Sequence, residues 1–351
     1  MPSLDAQALE RLATAIFERS GAPADHARCV AEHLVGANLA GHDSHGVLRI
    51  PQYCAAIAAG RIKPAAAMRI VQRMPAGAVV DGGGGFGQVV ARDAMLLAIE
   101  IARASGMAAV AIRNCSHTGR IGTYTQMAAQ AGLIGIAVSN TAGAGQAVVP
   151  FGGAAPRLST NPISIAAPSG GPEPILLDMA TSVAPEGKVR AHYQAGKSLP
   201  PGWIIDAAGK PSTNPADFYN QPRGSLLPLG AAVGYKGFGL AFMIDILAGA
   251  LSGAGCSRPD ATETGDGMLV MAIDARQFAP FDEFQHHVAV LAEHVRSTPP
   301  AAGFERVYIP GDVEMQKRER RLREGIAIDP ATWQQIVEIC RRLEIDEPAG
   351  N

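Results

Sequence analysis

The sequence predicts an α/β protein with a helical segment in front of it. Residues 1–65 repeat their apolar side chains at helical spacing. From residue 78 onward, short β-branched runs alternate with helical stretches, the pattern of a sheet flanked by helices. Glycine supplies 40 of 351 residues, above the usual ~7%, so many tight turns or close backbone approaches are expected. Apolar residues make up 47% and the formal net charge is −2. Such a chain can bury a sizeable core in two subdomains, and neither disorder nor nucleic-acid binding suits it.

The elements follow in order. Residues 3–20 read as an amphipathic helix with Leu9, Leu12, Ile16 and Phe17 on one side. Pro23 and Asp25 open a second helix, in which Val30, Leu34 and Ala37 recur. Residues 53–59 form a third, stopped by Gly60. Strands are expected at 78–81, 108–112 and 133–138, with helices at 89–105 and 123–131 between them. Further strands fall at 163–167, 174–177 and 268–273. Residues 196–230 are rich in Pro, Gly, Asn and Ser and read as mostly loop. Residues 239–251 read as a buried helix. His286, His287 and His294 share an amphipathic helix and are expected to be exposed. Residues 316–324 are a charged, solvated helical face. Asp329 and Pro330 open the last helix as N-cap and first residue, ahead of an apolar stripe of Trp333, Ile336, Val337 and Cys340.

Cys29, Cys54, Cys115, Cys256 and Cys340 are scattered and form no C-x-x-C pair. That argues against a disulfide framework or thiolate zinc site and for a reducing compartment. Met1 to Asp5 show no basic or apolar leader, and no apolar run approaches the ~20 residues that span a bilayer. A cytoplasmic location is the expectation.

The run Gly82-Gly83-Gly84-Gly85-Phe86-Gly87 matches G-x-G-x-x-G between a strand and a helix, the setting of a dinucleotide fingerprint. The acidic residue that would bind a ribose is missing, because the next strand ends Arg113-Asn114. The run is therefore read as a flexible turn.

The densest chemistry lies in Gly41-His42-Asp43-Ser44-His45-Gly46-Val47-Leu48-Arg49. Histidine titrates near neutral pH, and arginine grips carboxylates with a planar fork. If the segment is helical, His45 and Arg49 share a face and can serve one substrate. Other candidate segments are Asn114 to Gly122, Ser159-Thr160-Asn161-Pro162, Leu176 to Ser182, Gly234 to Gly239 and Ile309-Pro310-Gly311-Asp312. Most lie where an element gives way to a loop, where scaffolds present functional groups.

Together these segments resemble the malate/L-lactate dehydrogenase-like oxidoreductases, a family without a Rossmann fold. The resemblance rests on G-H-D-S-H-G, S-H-T-G-R-I-G, T-N-P, L-D-M-A-T-S, Y-K-G-F-G-L and P-G-D, in the family's order from about residue 25 to about 330. It is strongest to the hydroxycarboxylate dehydrogenase branch, through residues 37–46 and 117–122. It implies an α/β cofactor-binding domain with a mixed sheet over 71–314. A helical domain would be built from 1–70 with 315–351.

The resemblance also implies roles. His45 matches the acid/base histidine, Ser44 its hydroxyl partner and Arg49 the arginine on the substrate carboxylate. Thr160 falls where substrate or nicotinamide contacts are expected, and Glu186 and Gly187 at the substrate's far end. His45, His117, Thr118, Gly119, Arg120 and Ile121 match nicotinamide-cofactor contacts, as do Leu177, Asp178, Met179 and Ala180. Tyr235, Lys236, Pro310, Gly311, Asp312 and Val313 match further ones. Lys188 stands where imino-acid reductases carry aspartate, which favours a hydroxy-acid or oxo-acid enzyme. Asp178 suits ribose hydroxyls and NAD, whereas Arg120 suits a 2′-phosphate and NADP; the likeness favours NAD. A homodimer is implied, with a small 2-hydroxy or 2-oxo acid as substrate and no metal. His42 and Asp43 take supporting roles.

The competing reading is a metal-dependent hydrolase or lyase with His42, His45 and His117 as ligands. His42 and His45, three apart, can share a metal on one helical face. A third is a binding protein that keeps the fold without catalysis.

Overall fold

The computed structural model describes residues 2–230, 233–261 and 265–346. The N-terminal part holds β1 (Ser3–Leu4), α1 (Ala6–Arg19), α2 (Ala24–Leu39) and α3 (Ile50–Ala58). Asp5 caps α1 by accepting from the Ala8 N–H. Next come β2 (Arg69–Met74), β3 (Gly77–Gly85), α4 (Gly87–Ser105), β4 (Met107–Cys115), α5 (Gly122–Gln130), β5 (Ile134–Asn140), β6 (Ile163–Ala167) and β7 (Ile175–Met179). A smaller set follows: α6 (Glu186–Gln194), β8 (Ile204–Ile205), β9 (Pro211–Ser212), α7 (Ala216–Tyr219) and β10 (Ser225–Leu226). The chain continues through α8 (Tyr235–Asp245), a π-helical turn (Ile246–Ala250), β11 (Asp266–Ile273) and α9 (Phe281–Arg296). It closes with α10 (Asp312–Glu324), β12 (Ile326–Ala327) and α11 (Pro330–Arg342).

Seven strands make one mixed sheet in the order β2-β3-β4-β11-β5-β6-β7, in which β3 and β4 are parallel and the other neighbours antiparallel. Period-2 alternation gives the sheet two apolar faces. Val110 and Ile112 of β4 pack with α4 and α5, while Ala111 packs with Ile244 and Ala248 on the other side. A second core joins both ends of the chain: Leu9, Ile16, Leu34 and Tyr53 bury with Ile326, Ile336 and Cys340. Asp329 accepts from the Thr332 N–H and Pro330 starts α11, as the sequence predicts.

Four readings change. Gly82–Gly85 is not a flexible turn but the end of β3, where Gly85 pairs with Cys115. Gly82, Gly85 and Gly87 serve close packing, a Cβ on Gly87 lying 2.2 Å from the Ser116 carbonyl oxygen, whereas Gly83 and Gly84 have room around them and take positive φ. The 41–49 segment is not an α-helix but two 3-10 turns, Asp43–His45 and Val47–Arg49, separated by extended Gly46. A Cβ on Gly46 would meet the Asn38 amide at 2.2 Å, so this break is set by tertiary contact. The 196–230 segment carries the three-stranded sheet β10-β8-β9 with its own core around Ile204, Phe218 and Leu226. The helix expected at 239–251 begins at Tyr235 and is only half buried: Phe242 is 51% exposed, Met243 53% and Leu251 58%.

Candidate active site

The sheet places the ends of β4, β7 and β11 beside the 41–49 turns. Asn38 fixes those turns: its amide accepts from the Val47 N–H at 2.8 Å and donates to Asp43 at 2.6 Å. Arg321 of α10 also grips Asp43. Asp43 is thus a structural anchor.

His45, Arg49, His117, Thr160 and Glu186 line one cavity of about 580 Å³. Arg49 reaches it through two bonds that orient its guanidinium, Nε to the Ser44 carbonyl at 2.7 Å and NH1 to Gln52 at 2.6 Å. The His45 and His117 rings stack with centroids 5.1 Å apart. His45 Nδ1 meets His117 Nε2 at 3.2 Å, and His117 Nδ1 meets the Tyr53 hydroxyl at 2.6 Å. Gln88 Nε2 donates to the same hydroxyl at 2.7 Å. The partner of His45 is therefore His117 rather than Ser44. Ser44 instead packs on Gly187, where a Cβ would lie 2.6 Å from Ser44 Cβ.

This chain of bonds leaves Nε2 as the nitrogen of His45 free for a ligand. As it stands, Gln88 donates, Tyr53 donates onward, His117 presents Nε2–H, and neutral His45 carries its proton on Nε2. Turning the Gln88 amide over reverses every bond and leaves Nε2 bare. One amide atom of Gln88 lacks a partner in either sense, Oε1 in the first, and it is buried. A ring that can present a proton or a lone pair to the same ligand suits reversible proton transfer.

Burial and neighbouring charge hold the two imidazoles neutral. Burial, then the Arg49 charge, pushes His45 down to about 3. Burial and His45 push His117 well below its usual range. Burial pushes the Asp266 carboxyl up to about 6, although it accepts from the Thr118 N–H at 2.7 Å and hydroxyl at 2.8 Å. His45 is therefore a neutral imidazole in the free protein.

Three of the expected cofactor segments meet around the end of β7. Asp178 accepts from the Gly122 N–H at 3.1 Å and lies 3.2 Å from Arg120 Nε, both side chains buried. That Nε is not aligned for a hydrogen bond. The Leu176 N–H donates to the Pro310 carbonyl at 3.2 Å. Arg120, Leu176 and Gly311 line a second cavity of about 510 Å³ with Arg92, Arg318 and Glu314. Gly119 cannot carry a side chain: its φ is +75 and a Cβ would meet His33 at 2.3 Å. Asp312 holds Arg296 at 2.7 Å and accepts from the Ile309 N–H. Tyr235 and Lys236 line neither cavity; Tyr235 is exposed at the start of α8 and packs edge-on against Phe151. His42 faces Glu314 at 3.7 Å and Asp178 at 4.0 Å. Among the described residues no three His, Cys, Asp or Glu side chains gather as a metal site.

Tyr53, Gln88, Asp266 and Arg223, which complete the cavity around His45 or its support, do not stand out in the sequence. Tyr53 carried the one available signal, a phenol on an otherwise apolar helix face whose hydroxyl needs a partner once buried.

A mixed sheet with no Rossmann turn stands beside an imidazole pair and an arginine that line one cavity, the setting of an oxidoreductase of non-Rossmann type. The chain belongs to the malate/L-lactate dehydrogenase family, whose model matches residues 4–337. It is 38% identical over 338 residues to a malate dehydrogenase of Pyrococcus abyssi, covering 94% of this chain and 92% of the relative. It is 37% identical over 348 residues to hydroxycarboxylate dehydrogenase B of Escherichia coli O157:H7, covering 98% and 95%. The solved sulfolactate dehydrogenase of Methanocaldococcus jannaschii superposes with a TM-score of 0.88 at 36% identity, covering 98% of each chain. These relatives are 2-hydroxy acid dehydrogenases, and such a family works with a nicotinamide cofactor.

Proposed function

We propose that this protein is an NAD-dependent 2-hydroxycarboxylate dehydrogenase, with His45 as proton donor and acceptor and Arg49 on the substrate carboxylate. The observation that carries the reading is the convergence of His45, Arg49 and Thr160 on one cavity, with His45 Nε2 left free by the His117 bond. A 2-oxo acid places its carboxylate beside the carbonyl to be reduced. Arg49, fixed by Ser44 and Gln52, can hold the first while His45 serves the second. The carboxylate also offsets the Arg49 charge that depresses His45, so substrate raises the affinity of the imidazole for a proton.

The donor set fits a nicotinamide dinucleotide. Asp178 and Glu314 offer acceptors for ribose hydroxyls, and the misaligned Arg120 Nε is a buried donor beside them. His117 to Ile121, Leu177 to Ala180 and Pro310 to Val313 would hold it, and when bound it supplies or takes the hydride. Arg120 is engaged by Asp178, which favours NAD over a cofactor with a 2′-phosphate.

The exposed apolar face of α8 supports a homodimer, with Tyr235 and Lys236 at its margin. No described helix is long and apolar enough to cross a membrane. The free cysteines agree with a reducing, cytoplasmic setting. The test is nicotinamide absorbance with purified protein, each cofactor, and pyruvate, 2-oxoglutarate, hydroxyphenylpyruvate or oxaloacetate. NADH oxidation with at least one acid is expected, and none with any acid or cofactor contradicts the reading.

A further inference from the structure

The substrate cavity holds more positive charge than one carboxylate needs. Arg49, Arg61 and Arg223 all line it, and none pairs with a carboxylate among the described residues. Its two acidic side chains are engaged elsewhere. Glu186 is held by Arg190 at 2.9 Å and by the Tyr219 hydroxyl at 2.8 Å. Asp266 accepts from the Thr118 N–H and hydroxyl, and burial pushes its carboxyl up to about 6 although the Arg49 charge acts the other way.

Arg223 is the most telling of the three. It follows α7, on the short segment that leads into β10, and its guanidinium stacks over the Phe218 ring at 5.1 Å. Stacking fixes the plane of the fork. Its Nε is buried and has no hydrogen-bond partner. A buried, oriented donor without a partner costs stability unless a ligand satisfies it.

We propose that Arg223 forms a second anion subsite of this cavity, taking the distal acidic group of a dianionic 2-oxo or 2-hydroxy acid. The inference rests on the dehydrogenase reading for the reaction and goes beyond it in naming the substrate class. Arg49 holds the carboxylate beside the reacting carbon. Arg223 receives a second carboxylate or a sulfonate, and Arg61, also on the lining, adds to the field. A neutral distal group would leave the Arg223 donor unsatisfied, which is how a site built around a buried polar group rejects an analogue.

The experiment compares kcat/KM for oxaloacetate with that for 2-oxobutyrate, which carries a methyl where oxaloacetate carries its distal carboxylate. The wild-type ratio should exceed about 100, the order expected when one acid makes a charge-assisted hydrogen bond and the other leaves the donor unpaired. In Arg223→Gln the ratio should fall by about 10- to 100-fold, and Arg223→Lys should retain part of it. Because each protein supplies both rates, a general loss of folding leaves the ratio untouched. A wild-type ratio near unity, or one unchanged in Arg223→Gln, overturns the subsite. Absence of turnover with every acid overturns the dehydrogenase reading instead. Calorimetry with malonate then decides the subsite: binding lost in Arg223→Gln sustains it, and no binding to the wild type overturns it.

Discussion

His45 owes its character to neighbours that are remote in the chain. Tyr53 lies on α3 and Gln88 on α4, yet together they fix the His117 ring that meets His45 Nδ1. While Tyr53 donates to His117 Nδ1, His117 must present Nε2–H to His45, which opposes a second proton on His45. In Tyr53→Phe, His117 is free to turn its lone pair toward His45 and accept from a protonated ring. The acid dissociation of His45 then moves to higher pH. Oxidation needs the neutral base, so the acid limb of its pH–rate profile should rise by about one pH unit. kcat should fall about tenfold with little change in KM, the cost of one buried hydrogen bond between neutral groups. A loss of activity with an unshifted profile would give Tyr53 a packing role alone. None of this was legible in the sequence, where Tyr53 and Gln88 occupy ordinary helical positions and no motif joins them. His45, Arg49 and Thr160, which the structure gathers on one cavity, stand out in the sequence because they lie in short local runs.

At the scale of elements, periodicity served best where one face is buried within the chain. Helix α1 buries Leu9, Leu12, Ile16 and Phe17, and α11 buries Ile336 and Cys340, as their spacing predicts. Helix α8 shows where the rule stops. Its residues are apolar nearly all round, which reads as complete burial. The sheet covers Ala241 and Ile244, and the opposite face, with Phe242, Met243, Leu247 and Leu251, remains exposed. An apolar face of that kind calls for a partner, and a homodimer meets the need. Sedimentation velocity should find a dimer for the wild type and a shift toward monomer for the paired change Met243→Glu with Leu247→Glu. A monomeric wild type would contradict this assignment. The 41–49 turns show the converse failure, since their break at Gly46 depends on Asn38 pressing from α2.

For the whole molecule, strand–helix alternation disclosed the α/β class, and the abundance of glycine anticipated close backbone approaches. The order of strands was not legible, because β11 enters between β4 and β5 from more than a hundred residues downstream. That insertion brings Asp266 beside Cys115 and against Thr118, on the lining of the cavity that holds His45. The fingerprint-like glycine run closes β3, and Gly87 after it lets α4 approach the backbone of the His117 loop. The central claim is that this scaffold exists to let His45 move a proton while Arg49 holds the substrate. The most direct test is NADH oxidation with oxaloacetate by the wild type and by His45→Gln, which keeps the size and polarity of the side chain. The wild type should turn over, and the variant should lose about 10²- to 10⁴-fold in kcat with a KM little changed. A His45→Gln enzyme within about tenfold of the wild-type kcat would contradict the account.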